Sequence, residues 1–326
     1  MPDLPLTMHA LLVRRFGGPE VVEYAQLPVP VPGPGEVLLK VEAASLNPVD
    51  WKIRSGRYPA VTESQLPYVL GRDCCGVVVD SGQGGLPVGS VVHGLLSIAH
   101  GSLAEYAVAR ADELVPAPGT LDRSAAAAVP LAGLTAWQGL FEHGRLQAGQ
   151  RVLIHGGSGG VGHFAVQFAK ARGATVVTTV STEYVEFASH LGADVVIDHL
   201  TERFEDRAGQ VDLVYDLVGG ETQERSWGLI RAGGSLVCTV AEPPQDQALS
   251  RGVRALRYTA RPDARDLREI DALIDANQVR PFVIRRIEFA DAAAALRSLE
   301  EEGGRGGKLV VDMSTTIVGA PDHPWQ

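Results

Sequence analysis

The sequence feature that most constrains the fold is a glycine-rich turn, Gly157-Ser158-Gly159-Gly160-Val161-Gly162. The apolar run from Arg151 to His155 precedes it and is typical of a strand, and residues Val161 to Arg172 follow it with the spacing of a packed helix. Further apolar runs separated by helical patterns continue to about residue 278. Apolar strands that alternate with helices predict a doubly wound α/β domain, in which a parallel sheet is covered on both faces.

In this context the turn matches the dinucleotide-binding turn of a Rossmann domain. Gly157 is expected to make the tight turn, Gly159 to leave the backbone bare beside a pyrophosphate, and Gly162 to let the helix pack on its strand. The amino end of the helix would then present its N–H groups to the phosphates. The six residues of the turn therefore predict a site for a nicotinamide dinucleotide.

The end of the next strand is predicted to select between NAD and NADP. A site for NAD usually carries an acidic residue about 20 residues after the turn, where it binds the ribose. Here that position falls on Val180-Ser181-Thr182, and Glu183 follows. The hydroxyls of Ser181 and Thr182 leave room for a 2′-phosphate, whereas Glu183 would repel it if it pointed inward. We favour NADP(H), because Glu183 also suits the amino end of a helix predicted up to Leu191 and need not point toward the cofactor. NAD stays open.

The rest of the chain has a different pattern. From residue 8 to about 120, short β-rich segments such as Glu36 to Glu42 and Gly76 to Asp80 are broken by Pro and Gly, which favours a barrel-like β domain. From about Val279 the chain is predicted to return to that domain, ending in a strand over Lys308 to Asp312. A chain of 326 residues is long enough for two domains. We predict one from residues 1–123 with 279–326, and the other from 124–278.

Composition narrows the possible partners. The chain is 45% hydrophobic, and no apolar run approaches the ~20 residues of a membrane-spanning helix. Its net charge of −10 and dispersed basic residues argue against a nucleic-acid partner. With three cysteines, and no signal-peptide pattern in Met1 to Thr7, we expect a cytoplasmic protein. The strand-like run from Val253 to Tyr258 suits an edge strand, so a homodimer is left open.

Four segments together resemble the medium-chain dehydrogenase/reductase superfamily, specifically its zinc-independent quinone oxidoreductase branch. They are Met8 to Val22 with its turn Gly17-Gly18-Pro19-Glu20, Ser45-Leu46-Asn47-Pro48-Val49-Asp50-Trp51-Lys52-Ile53-Arg54-Ser55-Gly56, Leu131-Ala132-Gly133-Leu134-Thr135-Ala136, and Gly306-Gly307-Lys308-Leu309-Val310. The resemblance covers nearly the whole chain. It implies that the β-rich domain is a GroES-like β-barrel catalytic domain beside the Rossmann domain.

The resemblance also implies that no metal is held. Zinc alcohol dehydrogenases of the superfamily bind their catalytic zinc with a cysteine and a Gly-His-Glu motif. Asn47 stands in place of that cysteine here, and Gly71-Arg72-Asp73 stands in place of Gly-His-Glu. Zinc needs three or four N, S or carboxylate ligands, so we expect no zinc. Cys74 and Cys75 are adjacent on a predicted strand, point to opposite faces, and are expected in the core.

Two residues of the second segment are candidate catalytic residues. Asn47 would orient the nicotinamide or a substrate carbonyl, and Lys52 would stabilise an enolate or pass a proton. The alternative for Lys52 is an ordinary solvated charge. The resemblance further implies cofactor contacts from Thr135, His199, Leu217, Val218, Thr239 and Val240. The last four follow predicted strands, where open parallel sheets bind their ligands.

These inferences predict an NADPH-dependent, zinc-free oxidoreductase. Without a Lewis acid, hydride transfer favours an acceptor that is already electrophilic, such as a quinone or an α,β-unsaturated carbonyl, whose developing oxyanion hydrogen-bond donors can stabilise. Two alternatives stay open: a double-bond reductase without quinone activity, and a non-catalytic NADP(H)-binding protein. Zinc alcohol dehydrogenase activity is not expected, because the chain lacks the zinc ligands. The identity of the acceptor is not predicted.

Overall fold

A computed structural model describes residues 4–83, 85–304 and 306–313. Residues 1–3 and 314–326, both assigned by the sequence to the β-rich domain, lie outside this range. Within the described ranges, no helix has the length and apolar character needed to cross a membrane.

The first part of the chain is rich in strands, as predicted. Its elements are β1 (Thr7–Val13), β2 (Val22–Pro28), β3 (Glu36–Leu46), α1 (Pro48–Arg54), β4 (Tyr68–Val69), β5 (Asp73–Asp80), β6 (Val91–Leu95), β7 (Tyr106–Arg110) and β8 (Leu114–Pro116). Strand β1 pairs with β2 and β4, and the long strand β3 pairs with both β5 and β7. All of these pairs are antiparallel.

The middle part of the chain alternates helices and strands. Its elements are α2 (Arg123–Ala127), α3 (Pro130–Trp137), β9 (Arg151–His155), α4 (Gly162–Ala171), β10 (Thr175–Val180), α5 (Val185–His190), β11 (Val195–Asp198), α6 (Phe204–Arg207), β12 (Val211–Asp216), α7 (Glu221–Ser226), β13 (Ile230–Cys238), α8 (Gln245–Arg251), β14 (Arg254–Arg257) and α9 (Ala264–Asp275). The six strands form a parallel sheet in the order β11-β10-β9-β12-β13-β14. This is the strand order of a Rossmann sheet, and it confirms the predicted fold class.

The chain then returns to the first sheet through β15 (Val283–Glu288), α10 (Ala292–Glu302) and β16 (Lys308–Asp312). Strand β16 pairs antiparallel with β3, and β15 pairs with β16. The resulting sheet has the order β15-β16-β3-β5-β6-β8, with β7 attached to β3.

We propose the division into two domains that the sequence predicts, with one boundary moved. Helix α2 begins at the predicted boundary, but its Ala126 and Ala127 pack with Ala43 and Cys75 of the β-rich sheet. A boundary after α2, near residue 129, therefore cuts fewer apolar contacts than one at residue 124.

Each domain has its own core, and the Rossmann sheet is covered on both faces. Val152 and Ile154 of β9 pack on one side with Phe164, whereas Leu153 packs on the other side with Trp227. This is the burial that a central parallel strand requires.

Cys74 and Cys75 are also buried in different clusters, as predicted. Burial raises the pKa of the Cys75 thiol to about 12 and raises that of the Cys74 thiol well above its usual range.

Candidate active site

A cleft of about 1130 Å³ separates the two domains. The carboxyl ends of β9, β10, β12 and β13 open into it from the Rossmann side, which is where ligands bind in open parallel sheets. From the other side it is lined by the end of β3, the first turns of α1 and the start of β16. The cleft therefore brings together segments that the sequence predicted to bind a cofactor and to carry the chemistry.

The glycine turn forms one wall of the cleft. A Cβ on Gly162 would lie 2.0 Å from the backbone oxygen of Gly156, so a glycine is required where the helix meets the turn. Gly159 lines the cleft, and a Cβ there would lie only 3.3 Å and 3.5 Å from two backbone oxygens, so a glycine suits this position too. Val161 and Gly162 line the cleft where α4 begins, so the amino end of this helix faces it. These features fit a diphosphate group.

Gly157 has a different position from the one predicted. The residue with a left-handed backbone is Gly156, at φ 79°, and it makes the reversal. Gly157 lies behind the turn, where a Cβ would be 2.0 Å from the hydroxyl oxygen of Thr178, and it is not part of the cleft wall. Its glycine is needed for packing against β10 rather than for contact with a ligand.

The far end of the cleft lies beyond β10 and β11. Ser181 and His199 line it together, with Ser181 Oγ 3.2 Å from His199 Nε2. Thr182, whose hydroxyl was predicted to leave room for a 2′-phosphate, does not line the cleft, and this hydroxyl donates to Asp198 Oδ2 at 2.7 Å. Glu183 does line it, in a short 3-10 turn, and the following helix begins only at Val185.

The opposite end of the cleft is apolar on the Rossmann side. Val218 and Val240 are 51% and 44% exposed, and both line the cleft with Leu217 and Thr239. Thr135 reaches the same end from α3, and its hydroxyl donates to the carbonyl of Leu131 at 2.6 Å. The structure therefore brings together all the residues predicted at this end.

Asn47 lies at the floor of the cleft in a network of buried polar groups. Its amide nitrogen donates to Asp73 Oδ2 at 2.8 Å and to the carbonyl of Ser45 at 3.1 Å, which uses both of its hydrogens. Its amide oxygen accepts a hydrogen bond from Lys308 Nζ. The predicted contact of Asn47 with a ligand therefore requires one of these bonds to be exchanged.

Asp73 is the centre of this network. It accepts hydrogen bonds from the Ser45 hydroxyl, from the Asn47 amide and from the backbone N–H of Leu131 at 2.5 Å, and it is fully buried. Lys308 Nζ lies 3.7 Å from the Asp73 carboxylate and 3.3 Å from the carbonyl of Leu46. Burial lowers the pKa of Lys308, and the charge of Asp73 opposes that effect.

Asp50 holds the loop beside the network through hydrogen bonds to backbone N–H groups. It accepts from the backbone N–H of Asn47 at 2.8 Å and of Gly71 at 3.2 Å. Burial raises its pKa to about 7 in spite of these bonds.

Lys52 lines the cleft from α1 and is partly buried. Its Nζ lies 5.6 Å from the centre of the Trp51 ring. Burial lowers the pKa of Lys52, and the positive charge of Arg257 across the cleft lowers it further. Lys52 therefore lies in the cleft, and its role in the reaction stays a prediction.

Comparison with known proteins agrees with this architecture. Residues 33–119 match the alcohol dehydrogenase GroES-like domain, and residues 191–311 match the zinc-binding dehydrogenase family. The chain is 34% identical to the 2-methylene-furan-3-one reductase of Solanum lycopersicum, over 95% of its own length and 80% of that protein. It is likewise 34% identical to the chloroplastic NADPH-dependent alkenal/one oxidoreductase of Arabidopsis thaliana, with the same coverage. The quinone oxidoreductase of Coxiella burnetii superposes with a TM-score of 0.86 at 33% identity, over 94% of this chain and 99% of that one.

The chain belongs to the medium-chain dehydrogenase/reductase superfamily, in its quinone oxidoreductase branch. Asn47 and Arg72 stand in place of zinc ligands, and both side chains form hydrogen bonds within the protein. Asn47 belongs to the network described above, and Arg72 Nε donates to the carbonyl of Leu96 at 2.9 Å. Within the described ranges, no group of three or more His, Cys, Asp or Glu side chains is arranged to hold a metal.

Three cationic side chains of the cleft were not predicted from the sequence. Lys308 was noted only within a family signature, although its place after two glycines at the start of β16 was a usable signal. Arg57 and Arg257 also line the cleft, and nothing in the local sequence distinguishes them from surface arginines. Their position becomes visible only when the two domains are placed together.

Proposed function

We propose that this protein transfers hydride from NADPH to quinones or α,β-unsaturated carbonyls without a metal. The observation that carries the proposal is the composition of one cleft. A bare glycine turn and an apolar end for a nicotinamide face a floor of buried lysine, amide and carboxylate groups.

The Rossmann side would hold the cofactor. The backbone of Gly159 and Gly160 and the amino end of α4 would bind the diphosphate. Ser181 and His199 would donate hydrogen bonds to the 2′-phosphate, and Val218 and Val240 would pack on the nicotinamide. When bound, NADPH supplies the hydride.

The other side would bind the acceptor and manage its charge and proton. Reduction of an enone forms a C–H bond at the β-carbon, and the π electrons move to the carbonyl oxygen. The ammonium of Lys52 would donate to that oxygen, directly or through water, and a proton would then reach the α-carbon. Asn47 would act as a positioning residue, because its amide oxygen holds Lys308 in the floor of the cleft.

Two of the relatives point to a narrower alternative. A furanone reductase and an alkenal/one oxidoreductase both carry names that specify conjugated carbonyl compounds, so a double-bond reductase without quinone activity is a second candidate. The furanone and alkenal relatives match as much of this chain as the quinone oxidoreductase structure does.

A screen of NADPH oxidation against a small panel of quinones, alkenals and enones tests the proposal. We expect NADPH to quench or enhance protein fluorescence on binding, and at least one acceptor class to be reduced. Reduction of enones alone would select the second candidate. Failure to bind NADPH in the titration would contradict the proposal as a whole.

We also propose a homodimer in the cytoplasm. Strand β14 is the edge of the Rossmann sheet, and a second copy of the chain would pair along this edge. Light scattering of the purified protein tests the dimer, and a mass equal to one chain would contradict it. Fractionation of the producing cells tests the location.

A further inference from the structure

Three cations surround the acceptor end of the cleft. Lys52 belongs to α1, Arg57 follows that helix, and Arg257 is the last residue of β14 on the opposite domain. The backbone N–H of Arg57 donates to the carbonyl of Lys52 at 2.8 Å, which keeps these two residues side by side. Among the residues that the structure describes, no carboxylate forms a hydrogen bond or ion pair with any of the three side chains.

The carboxylates that line the cleft lie elsewhere. Glu183 and Glu202 follow β10 and β11 at the far end, and Glu302 ends α10. The loop after Glu302 reaches the glycine turn, since the backbone oxygen of Gly304 lies 3.5 Å from the Cβ position of Gly159. These three carboxylates therefore do not pair with the three cations, although other cations, Lys308 beside the glycine turn and Arg225, also line the cleft.

Arg257 is also poorly placed to bind the phosphates of NADPH. Strand β14 lies three strands from β9, which leads into the glycine turn, and four strands from β10, which leads to Ser181. With strands about 4.8 Å apart, the end of β14 lies roughly 14 Å along the sheet from the end of β9 and roughly 19 Å from the end of β10. Arg257 instead pairs with Cys238, directly before Thr239 and Val240 at the nicotinamide end.

We propose that the acceptor reduced by this protein carries an anionic group, a carboxylate or one of similar charge, and that Lys52, Arg57 and Arg257 bind it. The inference rests on the proposed function and narrows its substrate class. Trp51, Tyr58 and Pro59 line the same end of the cleft and would cover an apolar body between the anion and the conjugated carbonyl.

An anion at this position has a physical rationale. Like charges in a partly enclosed cleft repel, and the lowered pKa of Lys52 reflects burial and, after it, repulsion by Arg257. A ligand carboxylate removes the repulsion and stabilises the ammonium form of Lys52, which is the form that donates a proton. The carboxylate is unchanged in the reaction: hydride adds to the β-carbon, a proton adds to the α-carbon, and the C=C bond is lost.

A matched pair of acceptors tests the inference. One is a straight-chain enone with a terminal carboxylate, separated from the conjugated system by three or more methylenes, and the other is its methyl ester. The separation keeps the two alkenes equally electrophilic. We expect kcat/KM to be about tenfold higher for the acid, a difference of about 1.4 kcal/mol, and to lose this preference as ionic strength rises.

Variants locate the effect. Arg257→Gln and Arg57→Gln should each lower the acid-to-ester ratio of kcat/KM by several-fold, whereas Arg251→Gln, an exposed arginine at the end of α8 outside the cleft, should leave both substrates unaffected. Circular dichroism checks that each variant is folded. A ratio near one in the unmodified protein, with the ester turned over normally, would overturn the inference and leave the proposed function intact. If the unmodified protein turned over neither compound and no acceptor of the wider panel, both the inference and the proposed function would be contradicted.

Discussion

The two halves of the cleft are built in different ways. The cofactor half depends on backbone and small side chains that are neighbours in the sequence, from β9 through the glycine turn to α4. The acceptor half depends on charged and amide side chains from segments far apart in the chain, such as Asn47, Asp73, Arg257 and Lys308. One half is specified locally, and the other exists only after the sheets have paired.

This difference affects how each half fails. In the cofactor half, added atoms are harmful, because Gly162 has no space for a Cβ. In the acceptor half, the loss of atoms is harmful. Asp73 and Lys308 are buried and both hydrogen-bond to Asn47, so removing either side chain leaves a buried polar group without a partner. Substitutions in the two halves should therefore have separable effects on stability, on cofactor binding and on turnover.

The largest effect is expected from Asp73→Ala. This change removes the acceptor for Ser45, Asn47 and the Leu131 backbone and leaves the Lys308 charge without its nearest carboxylate. Breaking a buried charged network from one side costs about 3–5 kcal/mol, so the free energy of unfolding measured with urea should fall by that amount. Asp112→Ala, at an exposed site, is the control. A loss below about 1 kcal/mol would show that the network does not support the acceptor half.

Gly162→Ala should be nearly as severe, but in cofactor binding. The added Cβ would meet the backbone of Gly156 at 2.0 Å, so the turn must open and the amino end of α4 must move. We expect the Kd for NADPH, measured by fluorescence titration, to rise about 100-fold or more, or about 3 kcal/mol. Gly228→Ala is the matched control, because its Cβ would meet nothing within 4 Å. Tight binding by Gly162→Ala would mean that the close approach is not needed.

The same contrast explains what the sequence could predict. Strands β9 and β16 have the bounds predicted for them, Arg151 to His155 and Lys308 to Asp312, and α4 is within one residue of its predicted bounds at each end. Each of these elements is specified by a local apolar period and by glycines at its ends. The strand order and the turn then follow from general rules for parallel sheets.

The acceptor half could not be predicted in this way. Ser45 pairs with Asp73 across β3 and β5, and with Val310 across β3 and β16, so the register of two sheet pairings brings Asn47, Asp73 and Lys308 together. A local sequence pattern carries no information about that register. The same limit applies to Thr182, because its hydrogen bond to Asp198 depends on the pairing of β10 with β11.

Lys52→Met sharpens the comparison on the acceptor side. If Lys52 donates a proton, kcat for an enone should fall on the order of 30-fold, less than a fully enclosed general acid because water reaches this partly buried site. NADPH binding should stay unchanged, since Lys52 is not in the cofactor half. Unchanged turnover would remove Lys52 from the mechanism.

The pH dependence gives an independent check on Lys52. Its pKa is lowered by burial and by Arg257, so activity that needs the ammonium should be lost as pH rises through this lowered pKa. Arg257→Gln removes the second cause and should move that loss to higher pH. Arg251→Gln should leave the profile where it is. A profile that does not move in Arg257→Gln would show that the two cations do not interact.

The smallest effect is expected from Ser181→Asp, at the far end of the cofactor half. A carboxylate beside His199 would repel a 2′-phosphate but accept hydrogen bonds from unmodified ribose hydroxyls, as the acidic residue of NAD sites does. The preference for NADPH over NADH, measured as the ratio of their kcat/KM values, should fall about tenfold. The control is Ser181→Asn, because asparagine is nearly the size of aspartate but carries no charge. In this variant the ratio should fall much less. If Ser181→Asp leaves the ratio unchanged, the 2′-phosphate does not lie beside Ser181, and this end of the cleft does not select the cofactor.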